Sequence, residues 1–180
     1  RSKVHVGSEG LRQDGFLKAM DIKIRLARSE DAAAITTMLK QLADEIGDSD
    51  AFSCDVEAIR RHGFGDKPIL QSLIAESAGQ NVGLALFFPI FSTTRGKSGV
   101  YVQDLWVAGQ ARGQGLGVNL LVAAIKHAAH EWQAEFLKLT VYADNSTATE
   151  FYRRLGFEGD DRERPVALEG AAFTKLRDQV

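Results

Sequence analysis

A strand-like run from Val100 to Val107 feeds a segment with glycines at 109, 113, 115 and 117. From there Leu116, Leu120, Ala124, Ala128 and Trp132 recur four residues apart. That spacing is one face of a helix, so the chain passes from strand to long helix through a tight glycine bend. With the elements that flank it, the order β α α β β β α β α β favours an α/β (mixed α+β) architecture. The first N–H groups of such a helix have no internal acceptor and lie at the positive end of its dipole, the setting of an anion site. Glycine allows positive φ and lets an anion approach the backbone with no Cβ in the way. Arg112 adds a cation at the mouth of the bend. A glycine turn that merely opens a helix is the plainer alternative.

The remaining elements fit a mixed sheet flanked by helices. Asp21 to Ala27 alternates as a half-buried strand. Ser29 is a candidate N-cap for a helix carrying Ile35, Met38, Leu39, Leu42 and Ile46, with Gly47 set to end it. Asp55 to His62 reads as a short helix closing at Gly63. Ile69 to Glu76, Val82 to Phe91 and Val100 to Val107 read as strands whose short connections suit antiparallel hairpins. After the long helix come a strand over Phe136 to Tyr142, a helix over Ser146 to Leu155 stopped by Gly156, and a final strand over Ala171 to Leu176. Residues 1–19 read as an extension or cloning remnant before a single domain spanning 20–180.

Charge narrows the partners. With 22 Lys and Arg against 24 Asp and Glu, the net charge of −2 gives no field suited to nucleic acid or an anionic membrane. No apolar run reaches the roughly 18 residues that would span a bilayer, and residues 1–19 lack the apolar stretch of an export signal. A single cysteine, Cys54, forms no intrachain disulfide. A cytoplasmic location is expected.

Two familiar phosphate loops fail on spacing. The dinucleotide fingerprint needs a third glycine where Val118 stands, and Gly96-Lys97-Ser98 lacks the first glycine of a Walker A motif, since Phe91 occupies its place. What remains is the R-x-x-G-x-G spacing of Arg112, Gly115 and Gly117 after Gln103-Asp-Leu-Trp-Val107. It resembles the acetyl-CoA loop of the GNAT superfamily of N-acetyltransferases. A second segment, Asn145-Ser-Thr-Ala148-Thr-Glu-Phe151-Tyr152-Arg-Arg-Leu-Gly156-Phe157, resembles that family's N-x-x-A-x-x-F-Y-x-x-x-G-F.

The resemblance implies the GNAT fold, a mostly antiparallel twisted sheet splayed between two central strands and flanked by helices. It implies acetyl-CoA as cosubstrate, with Leu105, Trp106 and Val107 along its arm, Arg112, Gly113, Gln114, Gly115, Leu116, Gly117 and Val118 around its phosphates, and Asn145 nearby. Packing on the opposite face is the alternative role for Trp106. Tyr152 is implied as the acid that protonates the departing thiolate; by residue type alone it is an ordinary half-buried helix tyrosine. Homodimers are common in the family, and the same is expected here.

The likeness extends to the diamine and polyamine acetyltransferases through Ile24-Arg25, His62-Gly-Phe-Gly-Asp66-Lys-Pro68, Leu73-Ile-Ala-Glu76 and Tyr101-Val-Gln-Asp104-Leu-Trp-Val107. Those enzymes carry Glu-Asp where this chain has Gln103-Asp104, and a carboxamide accepts no proton at neutral pH. Asp104 becomes the first candidate base and Glu45 the second, with Gln103, Asp104 and Glu45 as candidate acceptor-binding residues. Residues 103 and 104 point to opposite sides of a regular strand, so only a bulge lets both face one cleft. The run Asp44-Glu45-Ile-Gly-Asp48-Ser-Asp50 suits a cationic amine, although acids in a loop are usually just solvated.

His127 and His130 lack a third partner, so no metal is expected. The expected activity is acetyl transfer to a primary amine of a small molecule, with a diamine or polyamine among the candidates. Alternatives are an amino acid, antibiotic or protein lysine acceptor, or a non-catalytic CoA-binding sensor.

Overall fold

The computed structural model describes residues 21–159 and 164–179, so the expected extension, residues 1–19, lies outside the described residues. The chain divides between Thr140 and Val141 into two units.

The first unit is built on a five-stranded sheet in the order β1-β2-β3-β4-β5. β1 (Ile22–Leu26), β2 (Gln71–Ser77), β3 (Gln80–Ser92) and β4 (Lys97–Val107) pair antiparallel in sequence order, as the short connections require. β5 (Leu137–Lys138) is parallel to β4 and pairs only with Val100 and Tyr101. The strand expected over Phe136 to Tyr142 is therefore two residues long. The chain leaves the ladder beyond it, where the Tyr101 hydroxyl hydrogen-bonds the Thr140 hydroxyl at 2.6 Å.

Helices cover both faces. α3 (Leu116–Trp132) buries Leu116, Leu120, Leu121, Ala124 and Ala128, and its neighbour in the sheet is Gly83. A Cβ there would fall 2.9 Å from Leu120 Cδ1 and 3.2 Å from Ala75 Cβ, so glycine sets the closeness of helix and sheet. On the same face the Phe87 ring, fully buried, meets His127 and Trp132 of α3. On the other side, α1 (Ala32–Ile46) buries Ile35, Met38 and Leu39 and ends at Gly47 with φ +85°. Each fully buried Leu, Ile or Phe contributes roughly 1.5–3 kcal/mol.

Ser29 does not cap α1. It opens a 3-10 turn, Ser29–Asp31, in which Asp31 accepts from the Arg28 N–H at 2.7 Å. Arg25 of β1 bonds both Asp31 and Glu76, which joins that turn to the sheet and holds the Asp31 carboxyl below its ordinary range. α2 (Val56–Phe64) is capped by Asp55, whose carboxylate accepts from the Ala58 N–H, and closes at Gly65, two residues later than expected.

The second unit contains α4 (Ser146–Arg154) and α5 (Gly170–Arg177). The final strand expected over Ala171 to Leu176 is thus a helix. Ala171, Ala172 and Leu176 are strong helix formers, and that preference prevails over the short apolar pattern. Among the described helices none is long and apolar enough to cross a membrane.

Candidate active site

The glycine bend has the form its sequence requires. After β4 a single 3-10 turn, Gly109–Ala111, leads to Arg112, then Gly113 at φ +74° and Gly115 at φ +76°, and α3 starts at Leu116. A Cβ at either glycine would meet nothing within 4 Å, so it is the positive φ that demands glycine, and the surrounding space is open. The first bond into the helix is from the Asn119 N–H to the Gly115 carbonyl. Among the described residues, the N–H groups of Gly113 to Val118 have no acceptor. Unpaired amides, a helix dipole and open space suit a diphosphate.

The edge of β4 supplies a second set of backbone groups. The Ala108 N–H donates to the Val82 carbonyl at 2.9 Å, which makes Gly83 and Val107 a non-hydrogen-bonded pair. Val107 therefore turns its own N–H and C=O away from β3, and Leu105, opposite Ala85, does the same. That edge is covered by β5 only at Val100 and Tyr101. The sheet is splayed here, with the N–H and C=O of Leu105 and the N–H of Val107 facing the gap, the Val107 carbonyl being taken by Arg112.

A β-bulge sets which side chains face where. Val102 stands opposite Phe87 and Asp104 opposite Leu86, so Gln103 is the additional residue. Val102 and Leu105 lie on the α3 face of the sheet; Asp104 and Trp106, opposite Leu86 and Leu84, lie on the α1 face. Gln103 is exposed and Asp104 half-buried. The Asp104 carboxylate has no hydrogen bond or ion pair among the described residues, and burial pushes it up to about 6. Its charge also reaches Cys54, whose thiol is pushed up by burial first and then by Asp55 and Asp104. A thiol so disfavoured as thiolate is a poor nucleophile.

The other acidic candidate is engaged. Glu45, in the last turn of α1, accepts from the Trp106 indole N–H at 3.3 Å through one oxygen and from Arg112 at 2.5 Å through the other. Arg112 also donates through Nε to the Val107 carbonyl at 2.8 Å. The Trp106 ring is buried and directed to α1. Asp44 accepts from the Ser49 hydroxyl. Asp44, Glu45, Trp106, Ala108 and Gly109 are among the residues that line a cavity of about 430 Å³.

In the second unit, Asn145 caps α4, its side-chain oxygen accepting from the Ala148 N–H at 3.0 Å. The helix ends with the Phe157 N–H on the Tyr152 carbonyl at 3.1 Å and the Gly156 N–H on the Arg153 carbonyl at 3.0 Å, with Gly156 at φ +88°. The Tyr152 ring sits edge-to-face with Phe151 at 5.0 Å and Phe157 at 5.3 Å, and burial pushes its phenol up to about 12. Tyr152 thus keeps its proton throughout the physiological range.

The histidines of α3 are used separately: His127 bonds Gln71 and His130 bonds Glu131. No group of three metal-ligating side chains occurs among the described residues. The link from Glu45 to Arg112 and Trp106 was not legible in the sequence, because residues 67 and 61 positions apart have no local pattern to connect them.

Comparison with known proteins gives a consistent result. A model described as Acetyltransferase (GNAT) family matches residues 37–157. Thialysine N-epsilon-acetyltransferase of Mus musculus is 33% identical over 142 residues, covering 74% of this chain and 82% of that protein. The spermidine/spermine N(1)-acetyltransferase-like protein 1 of Homo sapiens is 29% identical over 155 residues, 82% of this chain but 21% of that protein. Among solved structures, an integron cassette protein from the mobile metagenome of V. cholerae superposes with a TM-score of 0.72 at 20% identity, over 88% of this chain and 99% of that one. The matched span runs from α1 through the glycine bend to Phe157, and by it the chain belongs to the GNAT family of acetyltransferases.

Proposed function

We propose that the chain transfers the acetyl group of acetyl-CoA to a primary amine on a small, flexible aliphatic molecule, by direct attack with both substrates bound. The observation that carries the reading is Asp104, a half-buried carboxylate without a partner among the described residues, pushed up to about 6. Such a group accepts a proton from an ammonium near neutral pH, as a general base must. Acetyl-CoA supplies an activated thioester. The amides of Gly113 to Val118 bind its diphosphate, and the edge groups of Leu105 bind its arm.

Asp104 takes the ammonium proton through water, freeing the nitrogen lone pair. As the new C–N bond forms, the Val107 N–H stabilises the charge on the thioester oxygen. As the C–S bond breaks, Tyr152 gives its proton to the sulfur and regains one, through water, from the nitrogen, which sheds its second proton as the amide forms. Two relatives named for thialysine and for spermidine/spermine support an acceptor with an amine at the end of a methylene chain. Gln103 in place of a second acid favours an acceptor carrying less charge than a polyamine. The reading carries a homodimer and a cytoplasmic location with it, on the family resemblance and the single cysteine.

Thiol release from acetyl-CoA, measured over a panel of thialysine, lysine, spermidine, short diamines and an aminoglycoside, tests it. Turnover with at least one aliphatic amine is expected. Tight CoA binding without release for any amine would instead make the chain a CoA-binding sensor.

A further inference from the structure

The carboxylate of Glu45 sits where helix stability alone would not put it. It lies in the last turn of α1, at the negative end of the helix dipole, and that turn holds no basic residue. What it does have is two donors from the segment that leads into the glycine bend. The Trp106 indole N–H reaches one oxygen at 3.3 Å and the Arg112 guanidinium the other at 2.5 Å. Arg112 is tied a second time, through Nε to the Val107 carbonyl at 2.8 Å. The chain from Val107 to Arg112 is thereby closed into a loop by one side chain, and α1 holds that loop.

Immediately after Arg112 the backbone enters Gly113 at φ +74° and Gly115 at φ +76°, with nothing packed beside either position. Glycine in open space carries more conformational freedom than any other residue. Packing anchors Ala111 and Leu116 at either end, but nothing is packed beside the two glycines between them. The tethers at its entry are the Arg112 contacts and the bond from Gln114 to the Gln110 carbonyl.

We propose that Glu45 is a positioning residue for the coenzyme loop: through Arg112 it holds residues 112–115 in the receiving shape, and it does not serve as an acceptor-binding group. The inference rests on the reading of the bend as the diphosphate site. An exposed ion pair contributes little to global stability, so its loss leaves the melting temperature almost unchanged. The same loss makes the coenzyme order the loop on binding, which lowers affinity.

The experiment is calorimetric titration of the full chain with CoA, together with thermal melts, for wild type, Glu45→Ala, Glu45→Gln, Arg112→Ala, Glu45→Ala/Arg112→Ala and Gly115→Val. Glu45→Ala is expected to raise the CoA Kd roughly 3- to 10-fold, with only the small loss of melting temperature that follows from leaving the Trp106 N–H without its acceptor. Glu45→Gln, which keeps one acceptor oxygen, should fall between it and wild type. The double variant should match Arg112→Ala, because Glu45 acts through Arg112. Wild-type CoA affinity in Glu45→Ala, effects of Glu45→Ala and Arg112→Ala that simply add, or a loss of melting temperature that accounts for the weaker binding would each overturn the proposal. Failure of the underlying reading looks different: CoA does not bind wild type, or Gly115→Val binds it as tightly.

Discussion

Val102 and Asp104, two residues apart in β4, lie on opposite faces of the sheet, because Gln103 is inserted between the pairs Val102/Phe87 and Leu86/Asp104. In a regular strand both would lie on one face. The insertion moves a carboxylate onto the α1 face, and it turns the N–H groups of Leu105 and Val107 to the edge that β5 leaves open.

Asp104→Asn should lower kcat/KM by roughly 10²-fold or more, the usual contribution of a positioned base. In wild type, kcat/KM should rise with pH through about 6, since only the ionised carboxylate accepts a proton, and this acid limb should vanish in the variant. A limb that persists unchanged in Asp104→Asn would assign the base elsewhere.

The same substitution should stabilise the fold. Burial raises the folded-state value of Asp104 from 3.8 to about 6, so its contribution is most favourable below pH 4 and is lost as pH rises through 6. Above pH 6 the ionised group costs roughly 3 kcal/mol, which Asp104→Asn relieves. Melts at pH 8 should shift upward and melts at pH 4 should not.

Tyr152→Phe keeps the ring between Phe151 and Phe157 and removes only the hydroxyl. Turnover should fall roughly 10²-fold while the CoA Kd from calorimetry stays within about twofold of wild type. Because the phenol titrates near 12, no alkaline limb from this group should appear below pH 10. Undiminished turnover would remove Tyr152 from the acid role.

Gly115→Val forces a β-branched residue to φ +76°, at a cost of roughly 1–2 kcal/mol or a reshaped bend. CoA affinity should weaken roughly tenfold or more as the amides lose their common aim. Titration with CoA and with desulfo-CoA checks that the loss lies in the diphosphate contact, since both ligands should weaken alike.

Gly83→Val tests the packing of α3. The added Cβ would meet Leu120 at 2.9 Å and Ala75 at 3.2 Å, and overpacking of this kind costs roughly 1–3 kcal/mol. Denaturant midpoints should fall accordingly.

Local chemistry made most of the framework readable. Leu116 starts α3 and Gly47 ends α1 because a glycine at positive φ leaves few alternatives at those points. Gly156 closes α4 for the same reason, and Asn145 opens it because its side-chain oxygen accepts from the Ala148 N–H. The bulge also left a trace: Val100 and Val102 are apolar in one phase and Leu105 and Val107 in the other, a slip of one residue across Gln103-Asp104. The sequence shows that slip only once the strand's partners are known. The partnership of Glu45 with Arg112 had no trace, since it depends on how α1 lies across the sheet. The two-residue length of β5 likewise follows from divergence of two distant strands. At Ala171 to Leu176 a short apolar pattern served strand and helix equally, and alanine propensity decided it.

Because β5 fastens only two residues of β4, the sheet holds an unfinished edge inside the fold, of the kind that elsewhere invites pairing with a foreign strand. Deuterium should enter the Leu105 and Val107 amides freely in the resting protein. A ligand bearing amides of its own would slow that exchange by completing the ladder, so that coenzyme and protein together form a sheet that neither possesses alone.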